Sequence, residues 1–291
     1  MTIPDALQLE HVQFTIGRRK KAFSLRDISF SVPQGCVTGL IGENGAGKTT
    51  LMRLILNMYI PDSGAIRLFG TAATRDNAQA RDNIGFVIDQ SFLPTLHTAK
   101  SAGQFLSQVY SNWDQAVYER LLHDFKIPPS KLLVKLSSGT AQKVQIAIAL
   151  SHHADLLILD EPFNFLDPIA KKRFLELLQE FMKDPEHAVL ISSHQTEELE
   201  KICDNIAFIH EGELLFHKSI EELNGHYGIL KIGESDFQSL PAQSYISWRK
   251  TPYAYEVLTA QRDNPQFAEM VCEQAQLEDI MYFYLEKGEP Q

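Results

Sequence analysis

Apolar and polar positions alternate along residues 7–33, with Leu7, Leu9, Val12 and Phe14 followed by Phe23, Leu25, Ile28, Phe30 and Val32. A period of two is that of strands with one buried face, so the segment predicts antiparallel strands around a polar turn at residues 17–21. Later runs at residues 36–41, 84–88, 156–159 and 188–191 are mostly apolar and do not alternate. Short runs of this kind fit strands buried on both faces of a parallel sheet. Pro61-Asp-Ser-Gly64 marks a turn before a short strand at residues 65–69, and a hairpin is expected at residues 206–216. Helical segments are expected at residues 50–57, 99–126, 141–150, 169–183 and 196–203. In the second of these, Phe105, Val109, Val117, Leu121, Leu122 and Phe125 stand at roughly helical spacing, and Ile127-Pro-Pro129 ends the region. Strands alternating with helices imply an α/β fold, a largely parallel sheet with helices on both faces.

The texture changes near residue 217. Strand-like pieces at residues 228–232 and 253–258 flank a polar stretch, and a helix over about residues 277–286 carries Ile280, Met281, Phe283, Tyr284 and Leu285. The pattern predicts a main domain over 1–216, with a helical subdomain at about 95–150, and a small α/β appendage over 217–291. The appendage reads equally as a passive cap or as a regulatory or dimerisation element. Its stripe of Ile280, Met281, Tyr284 and Leu285 is wide for a lone surface helix, so it should pack on its own small domain or on a second copy.

The chemistry concentrates first at Gly42-Glu-Asn-Gly-Ala-Gly-Lys48-Thr49-Thr50, which fits G-x-x-x-x-G-K-[ST] between an expected strand and an expected helix. Such a turn aims backbone N–H groups of Gly42, Asn44, Gly45, Ala46, Gly47 and the Lys48–Thr50 turn at an anion, helped by the helix N-terminus. Closely spaced glycines let the backbone fold around phosphate without Cβ clashes. Lys48 is expected to reach the β- and γ-phosphates, and the Thr49 hydroxyl to ligate Mg²⁺. A second centre is Asp160-Glu161, after four apolar residues. The carboxyl end of a buried parallel strand is where ligands bind, and this strand is expected beside the phosphate-loop strand. There Asp160 would hold Mg²⁺ through its water shell and Glu161 would polarise an attacking water. His194 ends another apolar run and is placed near the γ-phosphate.

Composition narrows the partners. A formal net charge of −10 argues against a broad nucleic-acid footprint. The basic cluster Arg18, Arg19, Lys20 and Lys21 reads as a solvated hairpin tip. No apolar run approaches the roughly 20 residues that span a bilayer, and no signal-peptide core precedes the first strand. Cys36, Cys203 and Cys272 are scattered and lack metal spacing, so they read as reduced thiols in a cytoplasm. The adjacent His152 and His153 are expected only to end a helix.

With these motifs in hand, the chain resembles the nucleotide-binding subunit of ATP-binding-cassette transporters over about residues 7–220. The order is that family's: Gly42–Thr49 as phosphate loop, Asp89 and Gln90 at the glutamine-loop position, residues 136–140 as signature, Asp160-Glu161, residues 164–167 as D-loop, and His194 as switch histidine. It is most similar to bacterial exporter ATPases of the bacitracin-resistance and phenol-soluble-modulin type. The resemblance implies a P-loop NTPase cassette with an antiparallel β subdomain and a helical subdomain. It implies an ATPase using ATP and Mg²⁺, homodimerising on ATP at the inner face of the cell membrane to power a separate integral membrane permease. It also implies that Ser137 and Gly139 contact the γ-phosphate held by the other chain, and that Asp89 or Gln90 reaches the metal. The chain departs from the family pattern where Ser138 and Thr140 replace a glycine and a glutamine of the signature. The tyrosine that normally stacks on adenine falls on Ile16, leaving Phe23 as the aromatic candidate. The alternative is a soluble cassette ATPase acting on a non-transport partner. It is disfavoured by a single cassette and by the absence of heptads in the roughly 90 residues between phosphate loop and signature.

Overall fold

The structure is a computed structural model and describes residues 5–17, 22–74, 82–88 and 96–286. Arg18 to Lys21, Asp89 and Gln90, together with the Ser91-Phe92-Leu93-Pro94 run that follows, lie outside the described residues. In chain order the strands of the large sheet are β1 (Asp5–Ile16), β2 (Phe23–Pro33), β3 (Val37–Ile41), β4 (Ser63–Leu68), β5 (Thr71–Ala72), β6 (Ile84–Val87), β7 (Leu156–Leu159), β8 (Ala188–Ser192), β9 (Asn205–His210) and β10 (Glu213–Ser219). Its helices are α1 (Lys48–Ile55), α2 (Ala99–Leu106), α3 (Gln115–Asp124), α4 (Ser138–Ala149), α5 (Pro168–Phe181) and α6 (Thr196–Leu199).

Among the described residues the sheet runs in the order β5-β4-β1-β2-β10-β9-β3-β8-β7-β6. β1, β2, β4 and β5 pair antiparallel, while β9, β3, β8, β7 and β6 pair parallel. The two regions meet where β10 touches β2 at a single parallel pair, Glu213 with Arg26, whose side chains form an ion pair at 2.7 Å. The alternation of β1 slips between Leu9 and Val12 because the register shifts there at a bulge. In the parallel strands the unbroken apolar runs serve two cores at once. Leu157 and Leu159 face one core while Leu156 and Ile158 face the other, and β8 divides likewise between Val189 and Ile191 on one side and Ala188 and Leu190 on the other.

Two expectations need correcting. The phosphate-loop strand β3 and the carboxylate strand β7 are not neighbours, because β8 pairs with both and lies between them. Strands that are apolar throughout carry no pattern that orders them. The helical region expected at residues 99–126 is two helices, α2 and α3, broken over residues 107–114. Asp114 starts the second by accepting a hydrogen bond from Val117 N at 2.9 Å. Phe105 and Val109, which looked like core positions, are exposed, whereas Tyr118, Leu121 and Leu122 are buried.

Beyond β10 the chain forms α7 (Ile220–His226), β11 (Gly228–Ile232), α8 (Glu234–Ser239), β12 (Ser247–Lys250), β13 (Tyr255–Thr259), β14 (Val271–Gln274) and α9 (Leu277–Leu285). The four strands make a separate antiparallel sheet in the order β12-β13-β11-β14, with its own core of Leu230, Ile232, Tyr255, Val257 and Phe267. The stripe on α9 does not stay within this unit. Leu277, Ile280 and Phe283 join the core that holds Leu199, Cys203 and Phe216, and Tyr284 lies 5.0 Å from the Phe216 ring.

Candidate functional site

β3 ends at Ile41, and the chain turns through Gly42, Gly45 and Gly47, all in the left-handed region, into α1. The turn needs these glycines for different reasons. At Gly42 a Cβ would sit 2.2 Å from Ile209 O, and at Gly47, with φ +114°, it would meet Leu25 Cδ2 at 2.6 Å and Phe23 Cζ at 2.8 Å. Gly45, with φ +88°, has open space beside it. Ala46 is buried, while Asn44, Gly45, Gly47, Lys48, Thr49 and Thr50 line a cavity of about 570 Å³. Lys48 Nζ donates to Gly42 O at 2.6 Å and to Glu43 O at 3.3 Å, closing the loop on itself. Burial holds the Lys48 ammonium below the ordinary lysine range, against the opposing pull of Glu161 and then Asp160.

The carboxylates enter the same cavity from the end of β7. Thr49 Oγ1 donates to Asp160 Oδ2 at 2.6 Å, so α1 and β7 are joined across the gap left by the intervening strand. That strand contributes the connector. Ser192, the last residue of β8, donates to Asp160 Oδ1 at 2.6 Å and accepts from Glu161 N at 2.9 Å. Glu161 has φ +46°, a conformation that is strained for a glutamate and that surrounding bonds must hold. Its side chain stands between Lys48 and His194. Oε1 is 3.9 Å from Lys48 Nζ, and Oε2 is 2.8 Å from His194 Nδ1. A carboxylate only accepts, so Nδ1 carries the proton of that bond and Nε2 is left for other partners.

Residues of the phosphate loop therefore line one cavity with Asp160, Glu161 and His194. Phe23 and Ile16 both line the cavity, and they are cross-strand partners in the β1–β2 ladder, so the departure at Ile16 puts an aliphatic beside the aromatic on one wall. Ser137 and Gly139 do not line it. Ser137 caps α4, accepting from Thr140 N at 3.3 Å, and shares a 2.9 Å hydroxyl contact with Thr140. Gly139 lies so close to Phe165 O that a Cβ would be 2.3 Å away. Lys143 on α4 reaches across to Asp167 at 2.6 Å, and Asp167 caps α5 through Ala170 N. Asn164 and Phe165, assigned to the D-loop, also line the cavity; sequence reasoning missed Ser192 and Gln142 as connecting and cavity-wall residues, Ser192 being visible only as one of two serines before His194. His152 does more than end a helix. It is buried, stacked on Tyr110 at 4.0 Å, with its ring nitrogens 3.1 Å from Ile148 O and Ile84 O, tying α4 to β6.

The donor set suits a hard divalent cation. A hydroxyl and a carboxylate oxygen stand together at Thr49 and Asp160, and a triphosphate would otherwise enter beside Glu43, Asp160 and Glu161 with Lys48 as the buried cation. No group of three or more His, Cys, Asp or Glu side chains with metal-holding geometry occurs among the described residues.

Comparison with known proteins agrees with this geometry. The family described as ABC transporter matches residues 25–164. The ABC transporter ATP-binding protein NatA of Bacillus subtilis is 31% identical over 215 residues, covering 71% of this chain and 86% of NatA. The bacitracin transport ATP-binding protein BcrA of Enterococcus faecalis is 34% identical over 199 residues, covering 68% of this chain and 65% of BcrA. A solved structure of an ATP-binding subunit of an ABC transporter superimposes with a TM-score of 0.67 at 28% identity, covering 75% of this chain and 92% of that one. The chain belongs to the family of ABC transporter ATP-binding proteins.

Proposed function

We propose that this ATPase hydrolyses ATP in the cavity between α1 and the ends of β7 and β8, and that its cycle powers export of a peptide or amphiphile. The observation that carries the catalytic part is Glu161, fixed in a left-handed turn between Lys48 and His194. ATP entering the loop would exchange the Lys48 bonds to Gly42 O and Glu43 O for bonds to the β- and γ-phosphates, which are stronger because both partners are charged. The loop N–H groups and the α1 N-terminus hold the phosphate chain, and Phe23 packs on the base beside Ile16. Mg²⁺, when bound, would neutralise phosphate charge. Thr49 and Asp160 are the residues to hold it, with Asp89 or Gln90 as a further ligand. Glu161 orients and polarises the water that attacks the γ-phosphorus as the bond to the bridging oxygen breaks, leaving ADP and phosphate. His194 holds the Glu161 carboxylate through Nδ1–H, and its Nε2 donates to the γ-phosphate when the ring is doubly protonated.

Cassettes of this family dimerise and pair with membrane permeases. Here we take Ser137 and Gly139, outside the chain's own cavity, to complete the site of a second copy. No helix among the described residues is long and apolar enough to cross a membrane, so the permease is taken as a separate chain and this one as bound to its cytoplasmic face. Similarity to BcrA supports export of peptides or amphiphiles. The division into a cassette over 1–216 and an appendage over 217–291 belongs to the same reading, with β10 continuing to Ser219. The test is Glu161→Gln. ATP binding should survive, hydrolysis should fall by about 10²–10⁴, and an ATP-bound dimer should accumulate in light scattering. Turnover near that of the unaltered chain would remove Glu161 from this role.

A further inference from the structure

We propose that Glu200 is a positioning residue for hydrolysis, acting through His194 by fastening the segment that carries the histidine to helix α9. The inference rests on the role given to His194 above. α6 begins two residues after His194 and is four residues long, with Glu200 as its C-terminal cap. A single turn cannot hold itself, because helix nucleation fixes several dihedrals for one hydrogen bond. Its position must come from attachments, and three are present. Leu199 is fully buried in the main core. Glu198 forms an ion pair with Lys171 on α5. Glu200 Oε1 accepts a hydrogen bond from Leu277 N, the first residue of α9, at 2.8 Å.

The third attachment comes from outside the cassette sheet. The first N–H groups of a helix have no partner within it, and a carboxylate satisfies one of them with a charge-assisted bond that also suits the helix dipole. α9 is itself anchored. Leu277, Ile280 and Phe283 are buried in the core shared with Leu199 and Cys203. The Tyr284 ring lies tilted against Phe216, and its hydroxyl is 3.3 Å from that of Tyr227. A continuous path therefore runs from the small antiparallel unit through α9, Glu200 and α6 to His194, and by the 2.8 Å bond from His194 to Glu161. Only residues 195–199 separate the fastening from the histidine, so a slackened α6 shifts the imidazole relative to the carboxylate it holds. Misplacement of about 1 Å at a reacting group costs on the order of 10²-fold in rate.

The test uses the full chain and reads turnover, KM for ATP and thermal stability. Glu200→Ala should lower kcat about tenfold or more with KM within about twofold, and Glu200→Gln, which keeps an acceptor oxygen for Leu277 N, should restore most of the turnover. In a His194→Ala background, Glu200→Ala should add no further loss, since both then act on one interaction. Unchanged kcat in Glu200→Ala would overturn the proposal. So would equal losses in the Ala and Gln variants that track the melting temperature, the mark of a structural role only. A Glu200→Ala loss that persists undiminished in the His194→Ala background would overturn the route through the histidine while leaving His194 in place. Normal turnover in His194→Ala alone would instead overturn the role of His194.

Discussion

Ser192 offers the sharpest test of how the site is held. Its hydroxyl makes two bonds, donating to Asp160 Oδ1 at 2.6 Å and accepting from Glu161 N at 2.9 Å. Ser192 is fully buried and Asp160 nearly so, so water reaches neither partner freely from this side. Ser192→Ala leaves one buried N–H and one carboxylate oxygen without a partner. Each orphaned group costs about 1–3 kcal/mol, giving about 2–5 kcal/mol together with some relaxation. For a chain of this size about 1 kcal/mol moves Tm by roughly 2–4 °C, so calorimetry should record a drop of about 4–20 °C. Glu161, with φ +46°, loses one of the bonds that hold its strained backbone, and phosphate release should fall by about 10–100-fold. ATP affinity should change little, since Lys48 and the loop glycines are untouched. A Tm within about 2 °C of the unaltered chain, with unchanged turnover, would refute both the bond assignment and the placement of β8 between β3 and β7.

Gly47→Ala puts a Cβ against Leu25 and Phe23 at a φ of +114°, so it should abolish measurable nucleotide binding in a fluorescence titration; unaltered affinity would contradict the loop geometry. The Asp167 carboxyl is held below its ordinary value of 3.8, chiefly by the hydrogen bond from Lys143. A depressed carboxylate stabilises the fold above the unfolded-state value and loses that contribution as pH falls through the folded-state value. Lys143→Met should therefore lower Tm at about pH 7, and the gap from the unaltered chain should close below 3.8; a gap that is constant with pH would count against it. Removing residues 220–291 uncovers Leu199, Cys203 and Phe216, so thermal stability should fall before nucleotide affinity does; a truncated chain melting with the full one would show that α9 contributes nothing to the main core.

The phosphate loop, the carboxylate pair and His194 were legible because each is a fixed string of residues at the end of an apolar run. The two cores were legible in outline, since β1 and β2 alternate and the parallel strands do not. Strand order was not. Residues 156–159 and 188–191 are apolar on both faces, and nothing in such runs says which lies next to β3. For the same reason Ser192 was invisible as a connector, its meaning coming only from sitting between Thr49's strand-to-helix turn and Asp160. The break between α2 and α3 was missed because Phe105 and Val109 keep helical spacing with the residues beyond, although they face solvent. In the tail, β12 and β14 are four-residue edge strands whose pairing with β13 and β11 is set by the fold rather than by any period.

The insertion of late strands into an early site also shapes how the chain comes off the ribosome. Among the described residues β3 pairs only with β8 and β9, which follow it by about 150 residues or more. At about 5–20 residues per second of synthesis, the strand that leads into the phosphate loop waits on the order of 10 s or more for its first neighbour. Meanwhile β1, β2 and β4, whose partners lie close in sequence, can pair at once. A nascent chain halted before Ser192 has emerged should already contain the antiparallel β4-β1-β2 pairing and still fail to be retained on immobilised ATP. One halted after His210 has cleared the exit tunnel should be retained.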